Sequence, residues 1–148
     1  MAFQACGIPL VVVIEFKCLR RVLSASDDDW PAVVGNVRKA RKGWAMESMI
    51  LGSEREDPHT SGNFYKAVVQ AKLLFGAKSW VKSPRIGRTL GGFHHRVARR
   101  RENIQSRRTR AGRWIYPPLD AAMQEMDLEE METYVFHHQN TATQYITT

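Results

Sequence analysis

The sequence predicts a mainly α-helical protein, with a short N-terminal β-hairpin followed by a bundle of about four to five helices and a flexible Arg-rich segment. Three observations carry this. Apolar residues recur at helical spacing in several separate stretches, β-branched residues crowd the first 23 positions, and ten arginines gather between Arg85 and Arg113 against a single acid, Glu102. At 148 residues, with 43% hydrophobic and 25% charged residues, the chain is long enough and apolar enough for a real core, which excludes disorder throughout.

The β-branched run Ile8 to Ile14 reads as a strand, and Phe16-Lys17-Cys18-Leu19 as a second stretch beyond Glu15; two short strands or one bent ribbon fit equally well. The run contains Pro9, lacks a basic leader and is too short to span a bilayer or act as a secretion signal. Ser24 to Pro31 is a helix start, with acids at the positive end of the helix dipole and proline in the first turn. That helix is expected from about Trp30 to Leu51. Trp30, Val33, Val37, Ala40, Trp44 and Leu51 form its apolar stripe; Arg38, Lys39 and Lys42 gather on another side, and Arg41 flanks the stripe.

Gly52 to Gly62 reads as a polar loop with Pro58. Asn63 to Trp80 reads as the central helix, apolar around most of its circumference, with Phe64, Ala67, Val68, Ala71, Leu74 and Phe75 on a broad stripe and Tyr65, Val69 and Leu73 on a second. A third helix follows from Ile86, Leu90, Phe93 and Val97, weakened by Gly91-Gly92 at about 1 kcal/mol per glycine. Arg99 to Arg113 is nearly all polar and is expected to be loose without a partner. After Pro117-Pro118, Leu119, Ala122, Met123 and Met126 give a short helix, and Leu128, Met131, Val135, His138 and Ala142 a second. The resulting division is 1–23 hairpin, 24–98 helical core, 99–113 basic segment and 114–148 acidic C-terminal helices.

The net charge of +7 is uneven: +4 over residues 1–84, +9 over 85–113 and −6 over 114–148. Such a block calls for a phosphate-bearing partner, or for the acidic tail to fold back on it. Asp27-Asp28-Asp29 is accounted for by capping and dipole electrostatics, since two-metal sites draw their ligands from separate elements. His94-His95 and His137-His138 diverge by about 100° on a helix and do not chelate one ion. Cys6 and Cys18 have no partners at metal-ligand spacing and suggest no disulfide framework, so an intracellular setting, cytoplasm or nucleus, is expected. No phosphate loop, nucleophile elbow or zinc spacing appears, and no cofactor or metal is expected. Trp114 and Tyr116, beside the arginines, either stack on bases or dock in the core.

The order of landmarks GIPLVVVIEFKCLRRVLSASDDDWPAVVGNVRKARKGW, FYKAVVQAKLLFGAKSW, LGGFHHRVARR, WIYPPLDAAMQEM and HHQNTATQYI resembles the C-terminal part of reverse transcriptases of non-LTR (LINE-like) retrotransposons, just after the palm. Phe16-Lys17-Cys18-Leu19-Arg20 is similar to the family's Phe-Lys-Tyr-Leu-Gly primer-grip hairpin, with Cys18 in place of the aromatic and Arg20 in place of the glycine. Lys78 sits where the family usually has an acid. The resemblance covers almost the whole chain and implies a thumb-like bundle with a helical extension.

It implies a parent RNA-directed DNA polymerase whose metal-binding aspartates lie upstream, so this chain is expected to be non-catalytic, a decayed or truncated copy. Its implied partner is RNA or an RNA–DNA primer–template duplex, with no membrane involved; the oligomeric state is left open. In a thumb, a helix follows the minor groove while cations meet the backbone. Arg38, Lys39, Arg41 and Lys42 are therefore the first candidates for phosphate contact, then Arg96, Arg99, Arg100 and Arg101, with Lys17 on the primer strand. The alternatives are a degenerate element with no selected function, or a basic helical module that binds an acidic protein.

Overall fold

The computed structural model describes residues 4–9, 11–18, 21–24, 28–50, 57–105, 107–116 and 118–146. Two small antiparallel pairs open the chain. Gln4–Ala5 (β1) pairs with Ile8–Pro9 (β2), and Glu15–Cys18 (β3) pairs with Arg21–Ser24 (β4) with Phe16 opposite Leu23 and Lys17 opposite Val22. The hairpin expected around Lys17 is present, with Cys18, one departure from the grip pattern, opposite Arg21; Arg20, the other, lies outside the described residues with Leu19. The longer strand expected over Ile8 to Ile14 is not: only Ile8 and Pro9 pair, and Val11 to Ile14 are exposed, Val11 to 85%. β-propensity without an available edge does not make a strand, and Pro9 has no N–H for a ladder.

Trp30–Ile50 (α1) starts where the capping signal predicts. Asp28 Oδ1 accepts the Trp30 N–H at 2.9 Å, and Asp29 Oδ2 accepts the Val81 N–H at 2.8 Å, tying the loop after the second helical stretch to the foot of α1. These carboxylates thus cap and brace; Asp27 lies outside the described residues. Val33, Val37 and Ala40 are buried, with Trp30 and Trp44 packed against the core; Leu51, the end of the expected stripe, also lies outside.

The loop expected up to Gly62 ends earlier. Pro58–Phe64 (α2) begins at a proline after Asp57, whose side chain accepts from the Thr60 N–H, a cap and first-turn pair of the usual kind. Gly62 is where α2 meets the turn after the fifth helix: a Cβ there would overlap the carbonyl oxygen of Met126.

The rod continues as a π-helical segment, Tyr65–Gln70, and a last α turn, Ala71–Leu73 (α3), then stops at Gly76, whose φ of 79° reverses the chain into a 3₁₀ turn at Ala77–Ser79. The expected helix to Trp80 is therefore shorter, and its buried side differs. Tyr65, Val69, Leu73, Leu74 and Ala77 enter the core, whereas Ala67, Ala71 and Phe75 of the broader predicted stripe are exposed. Residues four apart drift forward by about 40° in an α-helix. The wider π turn drifts the other way, so alternating the two keeps Tyr65, Val69 and Leu73 in line.

Pro84–Gln105 (α4) buries Ile86, Leu90, Phe93, His94, Val97 and Ala98. It runs through Gly91-Gly92 and well into the basic stretch expected to be loose; arginine is a good helix former, and the anchored turn at Val97-Ala98 propagates. Arg107–Arg108 (β5) then pairs with Trp114–Ile115 (β6). Leu119–Glu125 (α5) and Met131–Ile146 (α6) follow, as the apolar spacing predicts, and Met123, Met126, Leu128 and Met131 complete the core.

Buried polar groups lock these elements together. Asn36 Nδ2 donates to the carbonyls of Leu73 (3.3 Å) and Phe75 (2.8 Å), satisfying the end of the second rod from α1. Gln139 Nε2 of α6 donates to the carbonyls of Ala77 and Trp80. Tyr65, His94 and Glu129 form a third lock between the rod, α4 and the loop before α6: the hydroxyl lies 2.9 Å from His94 Nδ1, and Nε2 lies 2.8 Å from the Glu129 carbonyl.

Candidate nucleic-acid interface

Arg38 and Lys42 of α1 are opposite its core, and Arg41 flanks it. Val33, Asn36, Val37, Ala40 and Gly43 define the buried side, and Arg38, Arg41 and Lys42 are exposed. Lys39 is exposed too but turns toward the second rod, where with Lys72, Asn36 and Phe75 it lines a separate shallow cavity of about 370 Å³.

α4 divides in the same way. At 100° per residue, Arg85, Arg88, Arg96 and Arg99 fall within about 80° of one another, on the side opposite Leu90, Phe93 and Val97. All four are exposed, and the stripe is about 21 Å long.

Two arginine contacts show how the two surfaces combine. The Arg85 guanidinium lies over the Trp30 ring, 3.7 Å from its centroid, and Arg100 Nη2 donates to the Ser48 carbonyl at 3.2 Å. The start of α1 is thus beside the start of α4, and the end beside the end: the helices run side by side in the same direction. Trp30 and Ser48 are five full turns apart and share one edge of α1, and Arg41 lies about 20° from that edge. Arg96 falls between Arg85 and Arg100 on the facing edge of α4. Arg41 and Arg96 therefore border one seam about 25 Å long, with Arg38 and Lys42 outside it on one helix and Arg88 and Arg99 on the other.

Two acids of the tail meet basic partners among the described residues. Asp127 pairs with Lys66 at 2.7 Å, and that contact holds the Asp127 carboxyl below the usual range. Glu130 lies 3.1 Å from His95. Neither pair takes one of the predicted site cations. The tail packs Met123, Met126 and Met131 into the same core as Leu90 and Phe93, and its Glu130 reaches His95, which at 100° per residue lies within about 40° of Arg88 and Arg99.

Of the remaining predicted residues, Lys17 is exposed on β3 in the N-terminal hairpin, not on the α1–α4 seam. Arg101 belongs to α4, and its side chain lies outside the described residues. The sequence reading missed Arg85 and Arg88 as members of the stripe; their spacing from Arg96 and Arg99, with Gly92 in the gap, was the available signal. His94 is buried and His95 half-buried, as their divergence on a helix requires, while His137 and His138 are both exposed. Trp114, Ile115 and Tyr116 are exposed.

Among the described residues, no group of three His, Cys, Asp or Glu is placed to hold a metal ion, and no helix is long and apolar enough to cross a membrane. A concavity of about 450 Å³ between the Trp80–Pro84 loop, α4 and α6 is mostly apolar, with Trp80, Leu90, Met131 and Val135 in its lining. No family model, curated protein or solved structure gives a significant match to the chain. What remains is a two-helix surface of exposed guanidinium and ammonium groups. Arginine forks suit phosphate oxygens, and cations spaced along about 20 Å suit a polyanion rather than a small anion.

Proposed function

We propose that the chain is a non-catalytic, thumb-like fragment of a non-LTR retrotransposon reverse transcriptase that binds RNA or an RNA–DNA primer–template duplex through the α1–α4 surface. The observation that carries the reading is the seam itself: two parallel helices with Arg38, Arg41 and Lys42 on one side and Arg88, Arg96 and Arg99 on the other, all six exposed. A second supports it. Val11 to Ile14 and Phe16 form an uncovered apolar ribbon at the end of the chain that, in the resemblance, adjoins the palm.

Binding of this kind positions a duplex by its backbone and carries little sequence information. Each phosphate neutralised releases counterions, so affinity falls with a log–log salt slope of about 0.7–0.9 per contact. Five contacts predict a slope near −4.

The test is fluorescence anisotropy of an RNA–DNA hybrid titrated with the purified chain at two salt concentrations. Submicromolar, steeply salt-dependent binding is expected, and changing Arg38, Arg41 and Lys42 to alanine together should flatten the slope by roughly 2 to 3. Salt-insensitive binding, or none by a chain that unfolds cooperatively, would refute the surface. A chain without a cooperative transition would favour a relic of a degenerate element.

A further inference from the structure

We propose that the β5–β6 hairpin is a stacking platform for unpaired bases, so that the chain grips single-stranded nucleic acid next to the duplex surface. The inference rests on the nucleic-acid reading above and adds to it a second ligand form and a second set of residues.

The hairpin is a built element. Gly112 takes a φ of 79°, its N–H donates to the Thr109 carbonyl at 3.0 Å, and the Thr109 N–H donates to the Arg113 carbonyl at 2.9 Å. The Thr109 hydroxyl accepts the Arg113 N–H at 3.1 Å, and Arg108 Nε donates to the Gly112 carbonyl at 3.3 Å. This is a tight turn closed by a left-handed glycine, a geometry that fixes strand register.

What the turn holds up is unusual for a surface. Trp114 is 55% exposed, Ile115 46% and Tyr116 53%, whereas Trp80 is buried and Trp30 and Trp44 are half-buried. Trp114 pairs across the ladder with Arg108, so their side chains share one face; strand alternation adds Tyr116 to that face and puts Ile115 with Arg107 on the other. Where extended backbone continues to Tyr116, one residue past β6, the Cα atoms that carry the two rings are about 6.8 Å apart, twice the rise per residue, in reach of successive bases of an extended strand.

Charge selects the occupant. Arg107, Arg108, Arg110 and Arg113 lie within ten residues that contain no acid. An apolar protein surface would have to desolvate those guanidinium groups, whereas a single strand supplies phosphates for them and π-faces for the rings. A duplex cannot substitute, because its bases are stacked on one another except at the ends. The hairpin starts two residues after α4, beyond the Arg99 end of the arginine stripe, which places it where a strand running off the duplex surface would emerge.

The experiment compares two fluorescein-labelled probes of about 12 nucleotides, a single-stranded oligo(U) and a blunt RNA–DNA hybrid, on the full chain. The Trp114→Ala/Tyr116→Ala double variant is expected to weaken oligo(U) binding by about 30-fold or more while changing hybrid binding by less than about 3-fold. Trp114→Phe, which keeps a ring, should retain most of the affinity, and circular dichroism of all variants should match the native chain because these side chains are exposed. Unchanged oligo(U) affinity in the double variant would overturn the hairpin assignment and leave the duplex surface standing if the hybrid still binds. Equal losses on both probes would overturn it as well. If neither probe binds the native chain, both readings fall. A native chain that is dimeric by light scattering, and monomeric once Trp114 is alanine, would assign the rings to a self-contact instead.

Discussion

Tyr65→Phe tests whether the buried Tyr65–His94–Glu129 chain holds the rod and α4 in register. Both rings are fully buried. A backbone carbonyl can only accept, so His94 Nε2 carries the proton and donates to Glu129; neutral Nδ1 then accepts from the Tyr65 hydroxyl. Burial pushes the tyrosine's pKa up, so the hydroxyl stays a donor throughout the working range. Removing it leaves Nδ1 buried without a partner, a loss of about 1–3 kcal/mol and roughly 3–9 °C in Tm for a chain of this size.

The same network makes stability pH-dependent. Burial lowers the His94 pKa below its ordinary value of 6.5, outweighing the Glu129 carbonyl and the Glu130 charge, which pull it up, and His95 pushes it further down. Below 6.5 the unfolded chain therefore takes up a proton that the folded chain refuses. Stability is complete above about pH 6.5 and falls as the pH drops toward the folded value, by up to about 1.4 kcal/mol per unit. Urea unfolding at pH 7.5 and 5.5 reads both effects, with Tyr65→Phe/His94→Leu as the variant that should lose most of the acid slope. A native chain equally stable at both pH values, or a Tyr65→Phe variant within about 0.5 kcal/mol of native, would refute the assignment of protons.

Three further outcomes follow from close contacts or their absence. Gly62→Ala should destabilise by about 3 kcal/mol or prevent folding, because the added methyl meets the Met126 backbone, which cannot move without displacing α5; thermal unfolding checks it. Gly92→Ala should stabilise by about 1 kcal/mol in urea unfolding, since nothing lies within 4 Å of the added Cβ and the residue is mid-helix. Asn36→Leu keeps the volume but strips the Leu73 and Phe75 carbonyls of their donor, and a loss of about 1–2 kcal/mol by the same assay is expected.

The elements most legible in the sequence were those with a local cause. Asp28 and Pro31 mark the start of α1, and Val33, Val37 and Ala40 mark its inner side, because capping and helical spacing act over a few residues. In the second rod both candidate stripes were apolar, and hydrophobicity cannot rank Phe64, Ala67 and Val68 against Tyr65, Val69 and Leu73. The choice was made by a π-helical turn and by partners that the chain supplies 30 and 60 residues later, His94 and Asp127. Residues 99–105 read as loose from composition, yet composition says nothing about a helix already nucleated upstream. The candidate site was half visible: Arg38 and Lys42 could be placed opposite a stripe and Arg41 beside it, but their meeting with Arg88, Arg96 and Arg99 depends on how α1 and α4 pack.

That packing makes the arginines unequal. Arg85 and Arg100 brace α1 against α4 through Trp30 and the Ser48 carbonyl, so removing either alters the separation of the two charged edges as well as the charge. Arg41, Arg96 and Arg99 make no such contact between helices among the described residues, and the polar groups that lock the fold from these helices, Asn36 of α1 and His94 of α4, lie on their inner sides. Replacing these three should change long-range attraction while leaving the unfolding free energy within about 0.5 kcal/mol. Replacing the two braces should change both. A polyanion that fits the seam must therefore be more sensitive, per charge removed, to Arg100→Ala than to Arg99→Ala, whereas a partner drawn only by the general positive field would respond equally to the two.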